Sequence, residues 1–484
     1  MFSVIELTLN TYLFLITVLT NTGMDNIKQV KHLYARAAFG MDYSTLQYQH
    51  SWGAKKSVKK LFKDSEPVRP ITAVTENLDL NPLGKDANEE QRKALQEKRN
   101  QQEKALNMAW MTQMGTTQAQ LREKMTLFWH NHFACNIGNY YFQQQLNNIQ
   151  RTHALGNFKT LLTAVSQAPA MLQFLNNQQN YKGHPNENFA RELMELFTLG
   201  RGHYTEQDIK ESARAFTGWA YNGKNGEYTF KPGSHDTQPK TFMGKTDNFC
   251  GEDVIDIILN NKQTARYIST KLYKYLVNET PDDAHINEMT DVFYNANYEI
   301  KPLLEHVFTA DWFYEPQNVG NLIKSPVELL VDLTRRFHIS YQNPDVLIQF
   351  QRTLGQVLFR PPNVAGWPGG RNWIDSSSLM YRIKIPSTIL NAGLIDFAGK
   401  ATPEDEAYLA SQRKQQLNVI KRVQASPDWN KFLQGIPLKV PHQEVAQYLL
   451  EPALNDRIIA EVNKAPDIKS MVIQVVSTPE YQLC

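Results

Sequence analysis

Apolar residues recur along most of the chain at the three- to four-residue spacing of an amphipathic α-helix. The clearest stretch runs from 184 to 219 and reads HPNENFARELMELFTLGRGHYTEQDIKESARAFTGW. Gly200 and Gly202 interrupt the spacing, as glycines commonly do where a helix ends. Thr205 and Asp208 then form a capping box, which is a typical helix start. The stretch therefore predicts a helix, a tight turn and a second helix.

Similar patterns elsewhere predict a mainly α fold, a multi-helix globular unit. In IKSPVELL, Ser325 caps a helix, Pro326 takes its first position and Glu328 completes a capping box. Residues 86–107 are rich in Glu, Lys, Arg and Gln and carry few apolar side chains, which predicts a charged helical arm. We expect residues 24–484 to form a single helical domain that includes this arm.

The least helical part of the sequence lies near residues 221–250. Its turn dipeptides Asn222-Gly223 and Asn225-Gly226 predict a small β-hairpin excursion from the helical fold. Tyr228–Phe230 and Thr241–Met243 are the segments that could pair as its two strands.

Charge and cysteine content narrow the class of protein. The 484 residues carry a formal net charge of +2, and a dedicated nucleic-acid binder would concentrate a basic excess, so we expect no nucleic-acid partner. The three cysteines, Cys135, Cys250 and Cys484, are far apart and in no metal-ligand spacing. Free thiols are therefore expected.

The first 23 residues differ from the rest of the chain. They are apolar through Tyr12–Leu19 but lack the basic start of a signal peptide, and the run is too short and too polar to span a membrane. They are either a mis-assigned start, with Met24 as the true first residue, or a weak export segment. The protein is expected to be cytoplasmic in the first case and exported in the second, with no firm membrane anchor.

Two glutamates of the 184–219 stretch are candidates for catalysis. Glu192 and Glu195 lie three residues apart and share one helix face, where like charges need a cation, a shared proton or open solvent. Together with His235 and Asp236 they predict a catalytic group for acid/base or metal-assisted chemistry. In the alternative interpretation, Glu195 pairs with Arg191 one turn earlier and Glu192 pairs elsewhere or faces water.

A divalent metal ion is the cofactor that this group could hold, because carboxylates and imidazoles suit zinc, manganese or iron. In FWHNHF, His130 and His132 lie two residues apart, so on one helix they point in nearly opposite directions and cannot both bind one ion. Each can face a cavity or be a hydrogen-bonded core histidine. We predict that the ligands come from among His130, His132, Glu192 and His235.

The excursion also offers a candidate anion site. His235, Asp236, Thr237 and Lys240 lie in a loop flanked by glycines and could hold sulfate, phosphate or carboxylate. His203, just past the first helix, could instead converge with His235 and Asp236 on the two glutamates. Alternatively, these polar residues satisfy the backbone of their own hairpin.

The irregular segment from Arg360 to Asp375 is the better candidate for recognition. Its two tryptophans offer flat apolar faces, and its arginines and asparagine offer directional hydrogen bonds, a combination that suits a sugar ring. Alternatively, the tryptophans anchor the loop in the core and the arginines bond to carbonyl groups. The predicted substrate-binding residues are His203, Lys240, Arg360, Asn363, Trp367, Arg371 and Trp373.

Several segments together resemble a bacterial family catalogued as domain of unknown function 1800. They include HLYARAAFG, KMTLFWHNHFA, NENFARELMELFTLG, HDTQPKTFMGKT, IKSPVELL and GQVLFRPPNVAGWPGGRNWID, in family order, and cover about 24–484. The resemblance implies a largely helical unit of unestablished activity, often encoded beside a sulfatase-like family, domain of unknown function 1501. Many members look exported, whereas this chain lacks a convincing signal.

These observations lead to two functional expectations. The first is a metal-assisted or acid/base enzyme, hydrolase-like, that acts on a saccharide or sulfated substrate. The second is a non-catalytic helical binding or assembly partner of a sulfatase-like protein. The two expectations differ in whether the glutamates and histidines meet in one pocket, and whether the protein is an enzyme stays open at this point.

Overall fold

The computed structural model describes residues 26–80, 87–343, 345–391, 394–395, 421–422 and 425–484. Across this part of the chain the fold is mainly α, as predicted from the spacing of apolar residues. The N-terminal segment 1–23, and with it the question of the first residue, lies outside the described residues.

The helices are named here in chain order. They are α1 (26–37), α2 (Tyr43–Gln49), α3 (Ala54–Asp64), α4 (Glu89–Thr116), α5 (Gln120–His132), α6 (Tyr140–His153), α7 (Phe158–Ser166), α8 (Pro169–Phe174), α9 (Asn188–Glu192), α10 (Glu206–Ala215), α11 (Gly251–Leu259), α12 (Lys262–Leu276), α13 (Asp283–Asn295), α14 (Ile300–Thr309), α15 (Pro326–Arg336), α16 (Asp345–Leu354), α17 (Ser376–Leu390), α18 (Trp429–Gln434), α19 (His442–Leu449), α20 (Asp456–Lys464) and α21 (Ile468–Val476). Short 3₁₀ turns link several of them, and a π-helix, Leu193–Thr198, directly continues α9.

The strands form two-stranded antiparallel sheets. β1 (Trp219–Tyr221) pairs with β2 (Tyr228–Phe230), β3 (Lys240–Phe242) with β4 (Lys245–Asp247), β5 (Ser340–Tyr341) with β8 (Ala425–Ser426), and β6 (Leu394–Ile395) with β7 (Lys421–Arg422). The predicted excursion is confirmed, but the predicted pairing within it is wrong. Each of the two proposed strands pairs with a close neighbour in sequence, because the Asn222–Glu227 turn and the Met243-Gly244 turn close two separate hairpins.

The chain divides into two compact units. Unit 1 comprises the described parts of Met1–Asp64, Phe308–Gln349 and Trp373–Cys484, and unit 2 comprises those of Ser65–Val307 and Phe350–Asn372. The prediction of one domain over residues 24–484 stays a prediction. Among the described residues, no helix is both long enough and apolar enough to cross a bilayer.

Unit 1 contains a buried charge network around Asp332 of α15. Its carboxylate bonds Lys324 Nζ at 2.8 Å and also pairs with Arg336. Burial would raise the pKa of Asp332, but the charges of Arg336 and Lys324 outweigh it and lower this pKa to about 2. Gly40 meets the network so closely that a Cβ there would lie 2.4 Å from Asp332 Oδ1.

Unit 2 contains a second buried network, centred on Glu123 of α5. Arg151 Nε of α6 donates to Glu123 Oε1 at 2.7 Å, and Trp110 Nε1 and Gln113 Nε2 of α4 each donate at 2.7 Å. Both carboxylate oxygens are therefore satisfied away from water, as a buried charge requires. The network ties α4, α5 and α6 together, and these helices support the pocket described below.

The predicted charged arm corresponds to the first turns of α4. Asn88 and Gln91 form a capping box at its start, and most side chains as far as Gln101 are exposed. Burial begins at Glu103 and continues through Leu106 and Trp110. The helix is thus solvated at its N-terminal end and packed at its C-terminal end.

Candidate functional site

Most of the 184–219 stretch folds as predicted, as α9 with its π-helical continuation, a turn and α10, but α10 ends at Ala215 and Trp219 begins β1. Gly200 and Gly202 have φ values of 82° and 84°, so both adopt the left-handed backbone expected of glycines that follow a helix. The Thr205–Asp208 capping box at the start of α10 is confirmed. The π-helix that contains Glu195 was not predicted, and such segments are frequent at functional sites.

The two predicted catalytic glutamates have different partners. Glu195 accepts hydrogen bonds from Arg201 Nε at 2.5 Å and from the Tyr204 hydroxyl at 3.0 Å. Arg191, the alternative partner for Glu195, instead binds both carboxylate oxygens of Glu206 at 2.9 Å. Glu192 is half-buried, and its carboxylate has no hydrogen bond or ion pair within the described part of the chain.

The environments of these glutamates move their pKa values apart. Burial, and then the charge of Glu195, raises the pKa of Glu192. Burial would also raise the pKa of Glu195, but the bonds from Arg201 and Tyr204 outweigh it and lower this pKa. Such a divergence is the usual basis of an acid and base pair. His203, predicted to converge on this region, is exposed.

His235, Asp236 and Lys240 are held within their own loop. His235 Nδ1–H donates to the Thr217 carbonyl at 2.9 Å, and Asp236 accepts from Arg214 Nε at 2.7 Å. Lys240 is buried and donates to the Asp236 carbonyl at 2.6 Å. These contacts match the interpretation in which the polar side chains form hydrogen bonds within their own loop. They use the His235 N–H and the Lys240 ammonium group, which an anion would need as donors.

His130 and His132 lie on α5 and are both buried, with separate partners. His130 Nε2 accepts a hydrogen bond from the Phe359 backbone N–H at 3.2 Å, and His132 Nε2–H donates to the Phe197 carbonyl at 3.1 Å. Burial is the main reason that the pKa of His130 is lowered to about 3 and that the pKa of His132 lies well below its usual value. Both are neutral core histidines.

The described residues do not assemble the predicted metal site. No three or more of their His, Cys, Asp or Glu side chains are placed to hold an ion together. His130, His132, Glu192 and His235 therefore do not form one ligand cluster in this structure, and each histidine is bonded to a different backbone group.

The tryptophan loop is anchored by its rings. Trp367 is 5% exposed and Trp373 is 8% exposed, so neither offers an open face to a sugar. Asn131 fixes the loop by accepting from the Trp367 N–H at 2.7 Å and donating to the Trp367 carbonyl at 3.3 Å. Asn363 is exposed and accepts from the Ala365 N–H at 2.9 Å, and Arg371 is exposed.

Arg360, at the start of the same loop, lines a pocket of about 230 Å³ in unit 2. The pocket draws on the exposed part of α4, the segment between α5 and α6, the start of α6 and the loop after α16. Its lining residues are Gln96, Arg99, Asn136, Ile137, Gly138, Tyr140 and Arg360. Of the predicted site residues, Arg360 is the one that this pocket contains.

The pocket's two guanidinium groups are each paired with a carboxylate. Arg360 pairs with the buried carboxylate of Glu103, which also accepts from the Tyr140 hydroxyl at 3.0 Å. Arg99 Nη2 donates to Asp79 at 2.8 Å, and Arg99 Nε is buried with no hydrogen-bond partner among the described residues. Burial and the charge of Glu103 raise the pKa of Tyr140 to about 12, so its hydroxyl stays protonated. The pocket thus offers many donors with balanced charge.

A strained turn leads directly into Arg360. The Arg360 N–H donates to the Val357 carbonyl at 3.0 Å, and Phe359, the third residue of this turn, has φ of 66°. Glycine is usual at that position, because a bulky side chain there costs on the order of 1–3 kcal/mol. The Phe359 ring is fully buried against Trp110 and His130, which compensates for the strain.

Sequence reasoning missed Gln96, Arg99, Asn136 and Tyr140. Gln96 and Arg99 lie in the predicted charged arm, where polar side chains are expected to face water. Asn136 and Tyr140 flank the end of the His130 helix. A signal for this site was present in Asn136-Ile-Gly138, a short polar and glycine-containing segment that follows the run of apolar residues in KMTLFWHNHFA. Loops at such points often carry binding groups.

Comparison with known proteins identifies the family. No curated protein and no solved structure matches the chain. The family model described as protein of unknown function (DUF1800) matches residues 32–483, which is nearly the whole sequence. The resemblance seen in the sequence is confirmed, and the chain belongs to this family.

Proposed function

We propose that this protein is a non-catalytic binding protein that holds one saccharide unit in the pocket around Arg360. The observation that carries the proposal is the lining itself: planar guanidinium and amide groups and a phenol, with few apolar surfaces. Each sugar hydroxyl both donates and accepts a hydrogen bond, and the lining offers both kinds of group. A volume of about 230 Å³ is small beside a drug-sized site and suits a single ring.

Charge balance supports a ligand that is neutral or weakly charged. Glu103 and Asp79 neutralise Arg360 and Arg99, so the pocket presents directional donors without a large excess of positive charge. The predicted catalytic residues Glu192 and Glu195 are not among the lining residues. This separation is the reason that binding without catalysis is the preferred function.

Calorimetric titration with glucose, galactose, N-acetylglucosamine, glucuronate and galactose 6-sulfate tests the proposal. We expect at least one of them to bind the wild type, and the double variant Gln96→Ala/Asn136→Ala to weaken that binding at least tenfold, because it removes two exposed amides from the pocket. Gln101→Ala is the control: this residue is exposed on the same helix but does not line the pocket. Equal affinity in the double variant and the control, or no binding by any sugar, would refute the proposal.

A second candidate function is acid/base catalysis on a saccharide or sulfated substrate by Glu192 and Glu195. The opposite directions of their pKa shifts favour it, with Glu192 as the acid and Glu195 as the base. This candidate predicts that the wild type turns over such a substrate and that Glu192→Gln and Glu195→Gln each abolish the turnover. It also requires that Glu187→Gln, which alters a neighbouring, partly exposed carboxylate paired with Arg191, leaves turnover intact.

A sulfatase-like partner of the domain of unknown function 1501 family is part of the same proposal, and it rests on the family resemblance alone. Co-purification of the two proteins at equal stoichiometry would support the assembly. Migration of a mixture of the two as separate species in gel filtration would count against it.

A further inference from the structure

We propose that His130 is a positioning residue for the pocket: it holds the strained turn at Phe359 that places the Arg360 guanidinium against Glu103. The role rests on the proposed ligand pocket, whereas its test observes Arg360 directly and needs no ligand. His130 was expected from the sequence to bind a metal or to pack in the core, and neither expectation connects it with Arg360.

Three side chains bind the polar groups of the turn. Gln351 Oε1 accepts from the Leu358 N–H at 3.0 Å, His130 Nε2 accepts from the Phe359 N–H at 3.2 Å, and Gln143 Nε2 donates to the Phe359 carbonyl at 3.1 Å. Phe359, which has the left-handed backbone, is therefore held by hydrogen bonds at both its N–H and its carbonyl group. Arg360 follows immediately in the chain, so the direction of its side chain depends on this backbone geometry.

Of these three contacts, the one from His130 combines a hydrogen bond with ring packing. The His130 ring lies 5.0 Å from the ring centroid of Phe359, 5.0 Å from that of Trp110 and 5.8 Å from that of Trp367. His130 thus accepts a hydrogen bond from the Phe359 N–H and packs against the Phe359 ring. It also contacts Trp367, which anchors the following loop. Loss of the acceptor would leave the Phe359 N–H buried without a partner, which is costly in a dry interior.

The protonation state of His130 suits this role. Burial, and then the charge of Arg151, lowers its pKa to about 3, so the imidazole is neutral throughout the physiological range. A neutral imidazole with its proton on Nδ1 leaves the Nε2 lone pair free to accept. A protonated ring could not accept the bond.

The test measures how fast phenylglyoxal modifies Arg360, followed by peptide mass spectrometry on the folded protein. His130→Phe keeps an aromatic ring but removes the acceptor, and we expect Arg360 to react at least threefold faster because its pairing with Glu103 is loosened. His130→Gln restores an acceptor and should react within twofold of wild type. Arg371, which is exposed on the same loop, serves as the internal reference and should not change.

His132→Phe is the matched control. His132 lies on the same helix, is equally buried and also makes one backbone hydrogen bond, but that bond goes to Phe197. A purely structural role for His130 predicts that both substitutions destabilise the protein and that neither selectively exposes Arg360. An unchanged Arg360 rate in folded His130→Phe, or an equal increase in His132→Phe, would overturn the proposal.

Gln143→Met provides a second route if His130→Phe does not fold. It removes the bonds to the Phe359 and Ile137 carbonyls with a side chain of similar length, and we expect at least a twofold faster reaction of Arg360. No acceleration in the folded Gln143→Met variant would also overturn the proposal. Failure of every sugar to bind would refute the proposed function while leaving these reaction rates interpretable.

Discussion

Desolvation sets the charge of the two buried histidines on α5, His130 and His132. They occur in the segment FWHNHF, from which each could be a metal ligand or a hydrogen-bonded core histidine, although not both at one ion. In the structure each is neutral and bonded to backbone, because desolvation disfavours the charged ring. Their chemistry follows from burial, which depends on the packing of α5 against segments far away in sequence.

The lowered pKa values of these histidines predict a loss of stability in mild acid. An unfolded histidine takes up a proton near pH 6.5, whereas folded His130 does so only near pH 3, so the unfolded state binds more protons between these values. The free energy of unfolding should therefore fall as pH decreases below 6.5, by up to about 1.4 kcal/mol per pH unit for each such histidine.

Urea denaturation at pH 7.5, 6.5 and 5.5 measures this slope. His132→Gln removes one of the titrating groups and should give a shallower pH dependence than wild type, even if its stability at pH 7.5 is lower. Identical slopes in the two proteins would show that His132 is not held neutral by the fold.

The pocket shows which single residues the sequence could and could not indicate. Arg360 was identified because it stands in a loop with a distinctive composition. Gln96, Arg99 and Asn136 look like ordinary surface residues, since only the three-dimensional arrangement brings them to one place. Trp367 was assigned to recognition, yet a tryptophan in a loop can face water or the core, and its local sequence does not distinguish these cases.

At the scale of one element, the sequence predicts helix starts that carry a capping box. The capping boxes at Thr205 and Ser325 are both present, because each depends on side chains three residues apart. The π-helix after α9 was missed because a shift in backbone hydrogen bonding depends on how the helix packs. The pairing of β2 with β1 was missed because the predicted second helix extended to Trp219, which the structure places in β1.

The Ser325 cap gives a prediction at the level of one helix. Ser325 accepts the Glu328 N–H at 3.3 Å, so Ser325→Ala should lower the free energy of unfolding by about 1 kcal/mol. Ser325→Asp should retain most of the stability, since aspartate also caps helices. Ser376→Ala, at the first position of α17 without a capping bond of its own, should change stability by less than about 0.5 kcal/mol. A Ser325→Ala midpoint in urea equal to that of the Ser376 control would contradict this account.

At the scale of the whole molecule, each of the two units contains a buried ion network. In unit 1 the carboxylate of Asp332 pairs with Lys324 and Arg336, and in unit 2 the carboxylate of Glu123 pairs with Arg151, in both cases away from water. The sequence shows charged residues in helices with helical spacing, but it does not show which of them turn inward. Local helix structure could therefore be predicted, whereas the division into units and the position of the pocket could not.

Removing the charge of Glu123 should weaken the fold strongly. Glu123→Gln leaves Arg151 buried without its counter-ion, which typically costs about 3–5 kcal/mol. Glu97→Gln, on the exposed part of α4, should be nearly neutral. Chemical denaturation of the three proteins provides the comparison, and a Glu123→Gln loss below about 1 kcal/mol would show that the pair contributes little.

The ion pair between Glu103 and Arg360 joins residues 257 positions apart in the chain. A ribosome adds roughly 5–20 residues per second, so Glu103 is synthesised some tens of seconds before its partner. During that interval α4 and α6 can meet, but the pocket lacks one wall and the Glu103 carboxylate lacks its guanidinium. Contacts of such long sequence separation also form slowly because a large loop must close. The pocket is therefore one of the last features to be completed within unit 2.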